Sequence, residues 1–319
     1  MRRRKFLSLI AAATTWPLTA RAEQMPVIGF LSPMPSGERP AYVAFRRGLA
    51  EEGYVEGKNL AIEKRFTNFR PELMNEAAGD LVRLEVNVIF AGYPESVAAA
   101  RNATSSIPTV AVDLESDPVA MGYIKSLARP GGNLTGMFLD LPELSGKLVE
   151  LLKETVPRLF HIAIFGIPGL NAAQFAAASA AARTVEAETI EVRVPDDWGR
   201  SLEVAKTRGI EAGILLSSPL VYRSSKQVGE LALVNRLPLI SMFSEFPKAG
   251  GLVAYGPEID AMWQKAGIYV GKILHGTKPS DLPIQRPVKF HLVINLKTAQ
   301  ALALSVPSVL LSTADDVIE

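Results

Sequence analysis

The sequence predicts an α/β protein of two lobes, each built on a parallel sheet, with a hinge of several crossovers between them. Short apolar runs of the kind that form buried strands alternate with helical segments along almost the whole chain. This alternation is typical of parallel strands with helical connections, and it starts again after residue 138. At 319 residues, with 48% hydrophobic and 21% charged residues, the chain is long enough for two separate cores.

The first half of the chain repeats a strand, a polar loop and a helix. The apolar run 27–31 predicts the first strand, which ends at Ser32. Pro40 stands where a helix can begin, because the missing N–H of proline costs nothing in a first turn, and Gly53 ends that helix. The same pattern predicts strands at 60–66, 86–90, 107–112 and 134–138, and helices at 71–84, from Pro94, and in a segment ending near Arg129.

The second half follows the same pattern, and the last part departs from it. Strands are predicted at 162–165, 189–194, 213–216 and 238–241, with helices at 144–156, 171–187, from Trp198, and at 227–234. The part after residue 252 resembles segments that cross between lobes. It contains a predicted strand at 253–255, a helix at 258–274 closed by Gly276, and a strand at 290–294. Several such crossovers make a hinge.

The amino-terminal segment has the features of an export signal. A basic cluster at residues 2–5 precedes a short apolar run at 6–16 and the sequence Ala-Arg-Ala ahead of Glu23. The run is too short to span a bilayer. Residues 3–7, RRKFL, fit the twin-arginine pattern, and an arginine-rich general secretory signal fits equally well. We expect residues 1–22 to be removed and the soluble remainder to work in the periplasm.

Charge and cysteine content exclude several classes of protein. The five basic residues of the first 22 leave 29 basic against 33 acidic residues in the rest, a net charge of −4 at neutral pH. This balance argues against a nucleic-acid partner, which needs a basic face. The chain has no cysteine, so it has neither disulfides nor the cysteine that a lipoprotein anchor requires.

Several motifs together resemble one family. Asp117-Pro118 is followed by ARPGGNLTG at residues 128–136. Further motifs are EF at 245–246, AGGL at 249–252, YGP at 255–257, AGIYV at 266–270, ILHG at 273–276, DLP at 281–283 and LVINLKTA at 292–299. Near the start, IGFL at 28–31 and GYVEG at 53–57 continue the match. None of these motifs is specific alone, but as a set they cover nearly the whole expected mature chain. They resemble a large family of bacterial ABC-transporter substrate-binding proteins that includes tryptophan-type binders.

The resemblance implies a type I periplasmic-binding-protein fold, with two Rossmann-like lobes closing on a small molecule. In these terms lobe 1 is residues 23–138 plus about 253–282, and lobe 2 is 139–252 plus about 283–319. The resemblance also implies an ABC permease with its ATPase as the partner. We expect a monomer that needs no cofactor.

The candidate ligand-binding residues are those at the carboxyl ends of the predicted strands, since ligands of open α/β sheets collect there. The loops are 32–36, 93–96 and 113–117 in the first lobe and 166–171, 217–222 and 242–245 in the second. The individual candidates are Ser32, Tyr93, Ser96, Asp113, Asn171, Ser217, Ser218, Phe243 and Glu245. Each has a structural alternative. Ser96, like Ser224, could cap a helix, Tyr93 and Phe243 could be aromatic residues of the core or the cleft rim, and Asp113 could accept a hydrogen bond from an amide of the neighbouring loop.

The chemistry of these loops suggests a polar organic ligand with an apolar part. Serine hydroxyls and the amides of a helix start hold a carboxylate. Asp113 or Glu245 offers a charge for an ammonium group, and Tyr93 or Phe243 offers a cover for an aliphatic or aromatic body. An amino acid meets all three conditions; an aromatic acid or another small carboxylate meets two.

An enzyme and a sensor are the competing classes. The three histidines, His161, His275 and His291, lack metal-ligand spacing, and the chain has no nucleophile elbow or P-loop. The pair at 196–197, Asp-Asp, fits a solvated turn better than a metal site. We therefore expect no enzyme and no metal. A sensor subunit that docks on a membrane receptor would use the same fold and cleft, so this alternative stays open.

Overall fold

Two sheets build two lobes in the computed structural model, which describes residues 25–193 and 197–319. The predicted export segment and one member of the acidic pair at 196–197 lie outside the described residues. The two-lobed α/β architecture that the sequence predicts is confirmed.

The first sheet has five strands, all parallel, in the order β2-β1-β3-β4-β5. Because the strands run the same way, their carboxyl ends share one edge. Its elements in chain order are β1 (Val27–Ser32), α1 (Pro40–Glu51), β2 (Ala61–Phe66), α2 (Met74–Arg83), β3 (Val88–Gly92), α3 (Pro94–Ala103), β4 (Thr109–Asp113) and β5 (Leu134–Phe138).

The second sheet has seven strands in the order β12-β11-β10-β9-β8-β6-β7, and only the β10–β11 pair of the described strands is antiparallel. Its elements are α4 (Leu141–Thr155), β6 (His161–Gly166), α5 (Ala172–Thr184), β7 (Glu188–Arg193), α6 (Trp198–Thr207), β8 (Ala212–Leu215), α7 (Pro219–Val234), β9 (Leu239–Ser241), α8 (Glu245–Lys248), β10 (Val253–Pro257), β11 (Phe290–Asn295), α10 (Leu296–Ala301), α11 (Ser308–Thr313) and β12 (Asp316–Ile318). One further helix, α9 (Ile259–Leu274), returns to the first lobe and packs along α1.

Three crossings in the described chain join the lobes. The first follows β5 at 139–140 and the second lies between β10 and α9. The third follows Gln285, which forms a bridge with Met137 of β5, and leads to β11. At this third crossing Arg286 pairs with Asp140 of the first, with 3.2 Å between Nη1 and Oδ2. The crossings therefore form a hinge whose segments contact one another.

The expected boundary near residue 253 is wrong in one respect. Val253–Pro257 pairs with β9 and β11, so this strand belongs to the second sheet and not to lobe 1. Its backbone pairs with a neighbour on each side, so the strand lies inside this sheet and not at its edge. The chain returns to the first lobe only with α9.

The predicted helix ending near Arg129 is absent, and turns occupy this stretch. Asp117 Oδ1 accepts hydrogen bonds from the backbone N–H groups of Val119 and Ala120, at 2.9 and 3.0 Å. Gly122 then adopts a φ of +66°, which ends any helical path. An aspartate that bonds its own following amides favours a turn over a helix.

The helix predicted at 227–234 begins eight residues earlier, at Pro219. Ser218 is its N-cap, since Ser218 Oγ accepts a hydrogen bond from the N–H of Val221 at 3.1 Å. Ser224, predicted as a possible cap, lies inside the helix. A serine followed by proline was the signal for this earlier start.

Two glycines allow α1 and α9 to approach closely. A Cβ on Gly267 would lie 2.1 Å from the carbonyl oxygen of Phe45, and a Cβ on Gly48 would lie 1.9 Å from that of Gln264. Backbone atoms cannot yield as a side chain can, so only glycine fits at this contact.

None of the described helices is both long and apolar enough to cross a membrane.

We predict that Gly267→Ala lowers the free energy of unfolding by about 2 kcal/mol, because α9 must move away from α1. The control is Gly79→Ala in α2, where the new methyl group meets only the flexible end of Arg83 at 3.4 Å. This change should be neutral or stabilise by about 1 kcal/mol through helix propensity. Urea unfolding of both variants decides, and equal stability of the Gly267 variant and the wild type would refute the packing argument.

Candidate functional site

The cleft between the lobes is formed by the carboxyl ends of the two sheets. Loops after β1, β3 and β4 face loops after β8 and β9, and α9 closes one side. This is the edge at which open parallel sheets bind ligands.

Direct contacts join the two lobes across this cleft. Ser217 Oγ, after β8, donates a hydrogen bond to Glu115 Oε1, after β4, at 2.8 Å. Farther out, the guanidinium of Arg223 on α7 lies over the ring of Phe69 in the first lobe, 4.5 Å from its centroid. The described arrangement is therefore a closed one.

Aromatic side chains from both lobes surround what we call the aromatic cavity. Tyr93 comes from the turn after β3, Tyr222 and Phe243 come from lobe 2, and Trp263 comes from α9. Tyr222 and Phe243 pack edge to face with 5.1 Å between centroids. A second cavity lies on the other side of Tyr93, Tyr222 and Trp263, beside Ser32. Each holds about 20 Å³, roughly the room of one water, so the rings themselves nearly fill the closed cleft.

Tyr93 holds an unusual backbone conformation at this site. Its φ is +76°, a value that non-glycine residues rarely adopt, and it directly precedes α3. Burial raises the pKa of its hydroxyl well above the ordinary range. Strain of this kind is typical of residues whose side chain is held in place for binding.

A third cavity, which we call the polar cavity, has a volume of about 100 Å³ and lies nearer the hinge. Glu115 and Asp117 line it from the first lobe, Gln174 lines it from the first turn of α5, and Asp140 and Arg286 line it from the crossings. Glu115 lines both the polar cavity and the aromatic cavity. It therefore stands at the junction between them.

Buried carboxyl groups dominate the electrostatics of the cleft. The pKa of Glu115 is raised to about 8, chiefly by burial and also by the nearby Asp113 carboxylate, while the Ser217 hydrogen bond acts in the other direction. Burial likewise raises the pKa of Asp113 and of Glu95. One oxygen of each of these three groups is buried without a hydrogen-bond partner among the described residues.

Most of the predicted site residues lie at this cleft. Ser32 and Tyr93 line it from the first lobe, Ser218 and Phe243 line it from the second, and Ser217 makes the contact between the lobes. Asp113 is fully buried behind it, where its Oδ1 accepts from the N–H groups of Glu115 and Ser116 at 3.0 Å each. Asp113 thus fixes the loop that presents Glu115.

The remaining predicted residues occupy other surroundings. Ser96 is fully buried inside α3, where its hydroxyl contacts Met74 Sδ at 3.6 Å, so the helix-cap alternative for it is wrong. Asn171 is buried and donates to the carbonyl oxygen of Ser217 at 2.7 Å, which positions that serine. Glu245 is exposed at the start of α8 and lines neither cavity.

Four side chains at the cleft were not singled out from the sequence: Glu115, Gln174, Tyr222 and Trp263. Glu115 and Tyr222 lie within loops that were predicted to face the ligand, at 113–117 and 217–222. Gln174 and Trp263 lie inside predicted helices, and nothing in their local pattern distinguishes them from surface or core positions.

In the described part of the chain no group of three or more histidine or acidic side chains is arranged to hold a metal ion.

Comparison with known proteins identifies relatives. A family model described as ABC transporter substrate binding protein matches residues 36–318. The chain is 26% identical to the tyrosine-binding protein of Clostridioides difficile over 265 residues, which covers 81% of this chain and 75% of that protein.

Two solved structures share the fold. One is the ABC domain in complex with L-Trp from Streptococcus pneumoniae, with a TM-score of 0.83, 22% identity, and coverage of 92% of this chain and 99% of that one. The other is the ligand-free, open structure of a substrate-binding protein with adhesive properties from Clostridium difficile, with a TM-score of 0.68, 24% identity and the same coverage.

We predict that closure of the ligand-free protein depends on pH through Glu115. With the lobes apart this carboxyl group returns towards its ordinary pKa of 4.5, whereas the closed arrangement raises it to about 8. The protonated form therefore favours closure, and the closed-to-open ratio falls by about tenfold per pH unit as the pH rises between these values. The radius of gyration from small-angle X-ray scattering should increase over this range.

The Glu115→Gln variant should keep its radius of gyration unchanged over the same pH range, because the amide does not ionise. Glu230→Gln, which removes an exposed carboxyl group of α7, is the control and should follow the wild type. A Glu115→Gln variant that opens with pH as the wild type does would contradict the assignment.

Proposed function

The chain belongs to the family of ABC transporter substrate-binding proteins, and on that basis we propose that it is the periplasmic binding component of an importer for an amino acid or a related carboxylate. The observation that carries the choice of ligand is the pairing of two cavities in one cleft. One is polar and contains Glu115, and the other is lined by aromatic rings. An amino acid has a polar head and a side chain that match this division.

The relatives support this choice of ligand. Four fifths of this chain resembles the tyrosine-binding protein, and the protein of a solved complex with L-Trp shares the fold of this chain. Tyr93, Tyr222, Phe243 and Trp263 give the cleft of this chain four aromatic side chains. We therefore propose an amino acid with an aromatic or large apolar side chain.

Binding proceeds through hinge closure. In the open state the ligand contacts one lobe, and contacts from the second lobe then stabilise the closed state. The Ser217–Glu115 hydrogen bond and the Arg223–Phe69 contact form only when the lobes meet. The permease recognises the closed form, in which both lobes present one continuous surface.

The family and the sequence also support a proposal for the cellular setting. Residues 1–22 direct export, and the mature chain works in the periplasm as a monomer without catalytic activity. A permease with its ATPase receives the ligand. The family is one of solute-binding proteins and not a class of enzymes.

We predict that amino acids with aromatic side chains raise the melting temperature of the chain from Glu23 onward. A ligand at 100 times its dissociation constant stabilises the folded state by about 2.7 kcal/mol, which is a shift of several degrees. The screen compares amino acids, aromatic acids, small carboxylates and sugars by differential scanning fluorimetry. A shift confined to sugars would refute the proposed ligand class.

The same screen on two variants tests the location of the site. Tyr222→Leu removes an aromatic wall of the cleft and should reduce the shift. Phe160→Leu, at an aromatic residue that is 56% exposed and lines none of the cleft cavities, should retain it. Equal shifts in both variants would place the ligand elsewhere.

A further inference from the structure

Two polar atoms beside Ser217 are buried and lack a hydrogen-bond partner in the described part of the chain. They are Glu115 Oε2 in the first lobe and Gln174 Nε2 in the second. Buried polar groups are nearly always paired in folded proteins, so two unpaired ones at one place in a binding cleft indicate groups that a ligand satisfies.

The orientation of both side chains is fixed by Ser217. Its N–H donates to Gln174 Oε1 at 3.1 Å, and its Oγ donates to Glu115 Oε1 at 2.8 Å. Since the N–H can only donate, the amide oxygen of Gln174 must face it, and the NH₂ group is left as a donor. The cleft therefore offers one free acceptor and one free donor, on two side chains that bond the same serine.

The two atoms differ in the charge that they attract. Glu115 is an acid, and the charged groups that line the polar cavity with it are Asp117, Asp140 and Arg286, of which the last two pair with each other. This excess of acid favours a cation. An ammonium group there would restore the ionised form of Glu115, whose pKa burial raises in the absence of a partner.

Gln174 lies in a different environment. Its side chain is 3% exposed and belongs to the first turn of α5, a helix of 13 residues. An NH₂ donor at the amino end of a helix favours an anion, since the helix dipole acts in the same direction.

We propose that Glu115 and Gln174 recognise the two charged groups of an α-amino acid. Glu115 Oε2 accepts hydrogen bonds from the ligand ammonium group, and Gln174 Nε2 donates one to the ligand carboxylate. Because Glu115 lines both cavities, an ammonium group on it leaves the side chain of the ligand directed at Tyr93, Tyr222 and Trp263. These rings nearly fill the cleft in the described arrangement, so they must move apart to admit that side chain. This inference rests on the proposed function and assigns the head-group specificity of the same site.

The test uses isothermal titration calorimetry with L-tryptophan, L-tyrosine and L-phenylalanine, each beside its analogue without the ammonium group and its analogue without the carboxylate. For tryptophan these are indole-3-propionate and tryptamine. Loss of one partner of a buried charged hydrogen bond weakens binding strongly, so we expect both analogues to bind roughly 100-fold more weakly to the wild type.

Two variants assign the discrimination to residues. Glu115→Gln should weaken binding of the amino acid roughly 100-fold, so that the amino acid binds little more tightly than its analogue without the ammonium group. Gln174→Leu should instead reduce the difference in affinity between the amino acid and its analogue without the carboxylate. Glu230→Gln, which removes an exposed carboxyl group of α7 that lines none of the cleft cavities, is the control and should bind as the wild type does. Glu115→Asp retains the charge, so it should keep a preference for the ammonium group even if Glu115→Gln fails to fold.

The outcomes separate this inference from the function on which it rests. A wild type that binds none of the three amino acids would contradict both. A wild type that binds an amino acid and its analogue without the ammonium group equally well, with Glu115→Gln unchanged, would overturn the head-group assignment alone.

Discussion

A carboxyl group buried where the two lobes meet is the constraint on which the described arrangement depends. One carboxyl oxygen of Glu115 accepts a hydrogen bond from Ser217 of the opposite lobe, and the other is buried without a partner in the described residues. A charge in that position is costly unless a cation accompanies it. The closed form is therefore stable either with this group protonated or with the ammonium group of a ligand beside it, and this dependence links ligand binding to lobe closure.

The fold brings this contact about through its hinge and its parallel sheets. All strands that end at the cleft present their carboxyl ends to it, so short polar loops from both lobes meet there. Three crossings join the lobes, and α9 packs closely on α1 at Gly48 and Gly267. Trp263 on α9 packs against Phe90 and Tyr93, which connects this helix directly to the aromatic cavity.

The sequence predicted the alternation of strands and helices well, because buried parallel strands appear as apolar runs and Pro40 and Pro94 mark helix starts. The predicted helix ending near Arg129 is absent because Asp117 bonds the amides that follow it and forms a turn. The lobe boundary was misplaced because the apolar run at 253–255 does not indicate which sheet the strand joins. The loops that were predicted to face the ligand do lie at the cleft, whereas some of the individual residues do not. Glu115 lay in a predicted loop, whereas Gln174 and Trp263 reach the cleft through helix packing, which local patterns do not contain.

The most direct test of ligand-driven closure is a distance between the lobes at the rim of the cleft. The chain has no cysteine, so Glu72→Cys and Lys226→Cys provide two unique sites for spin labels. Both residues are exposed and lie close in sequence to Phe69 and Arg223, which touch across the cleft. Pulsed electron paramagnetic resonance should show a short, narrow distance distribution with L-tryptophan or L-tyrosine, and longer distances without ligand above pH 8. The same distribution with and without a ligand that calorimetry shows to be bound would contradict closure as the mechanism.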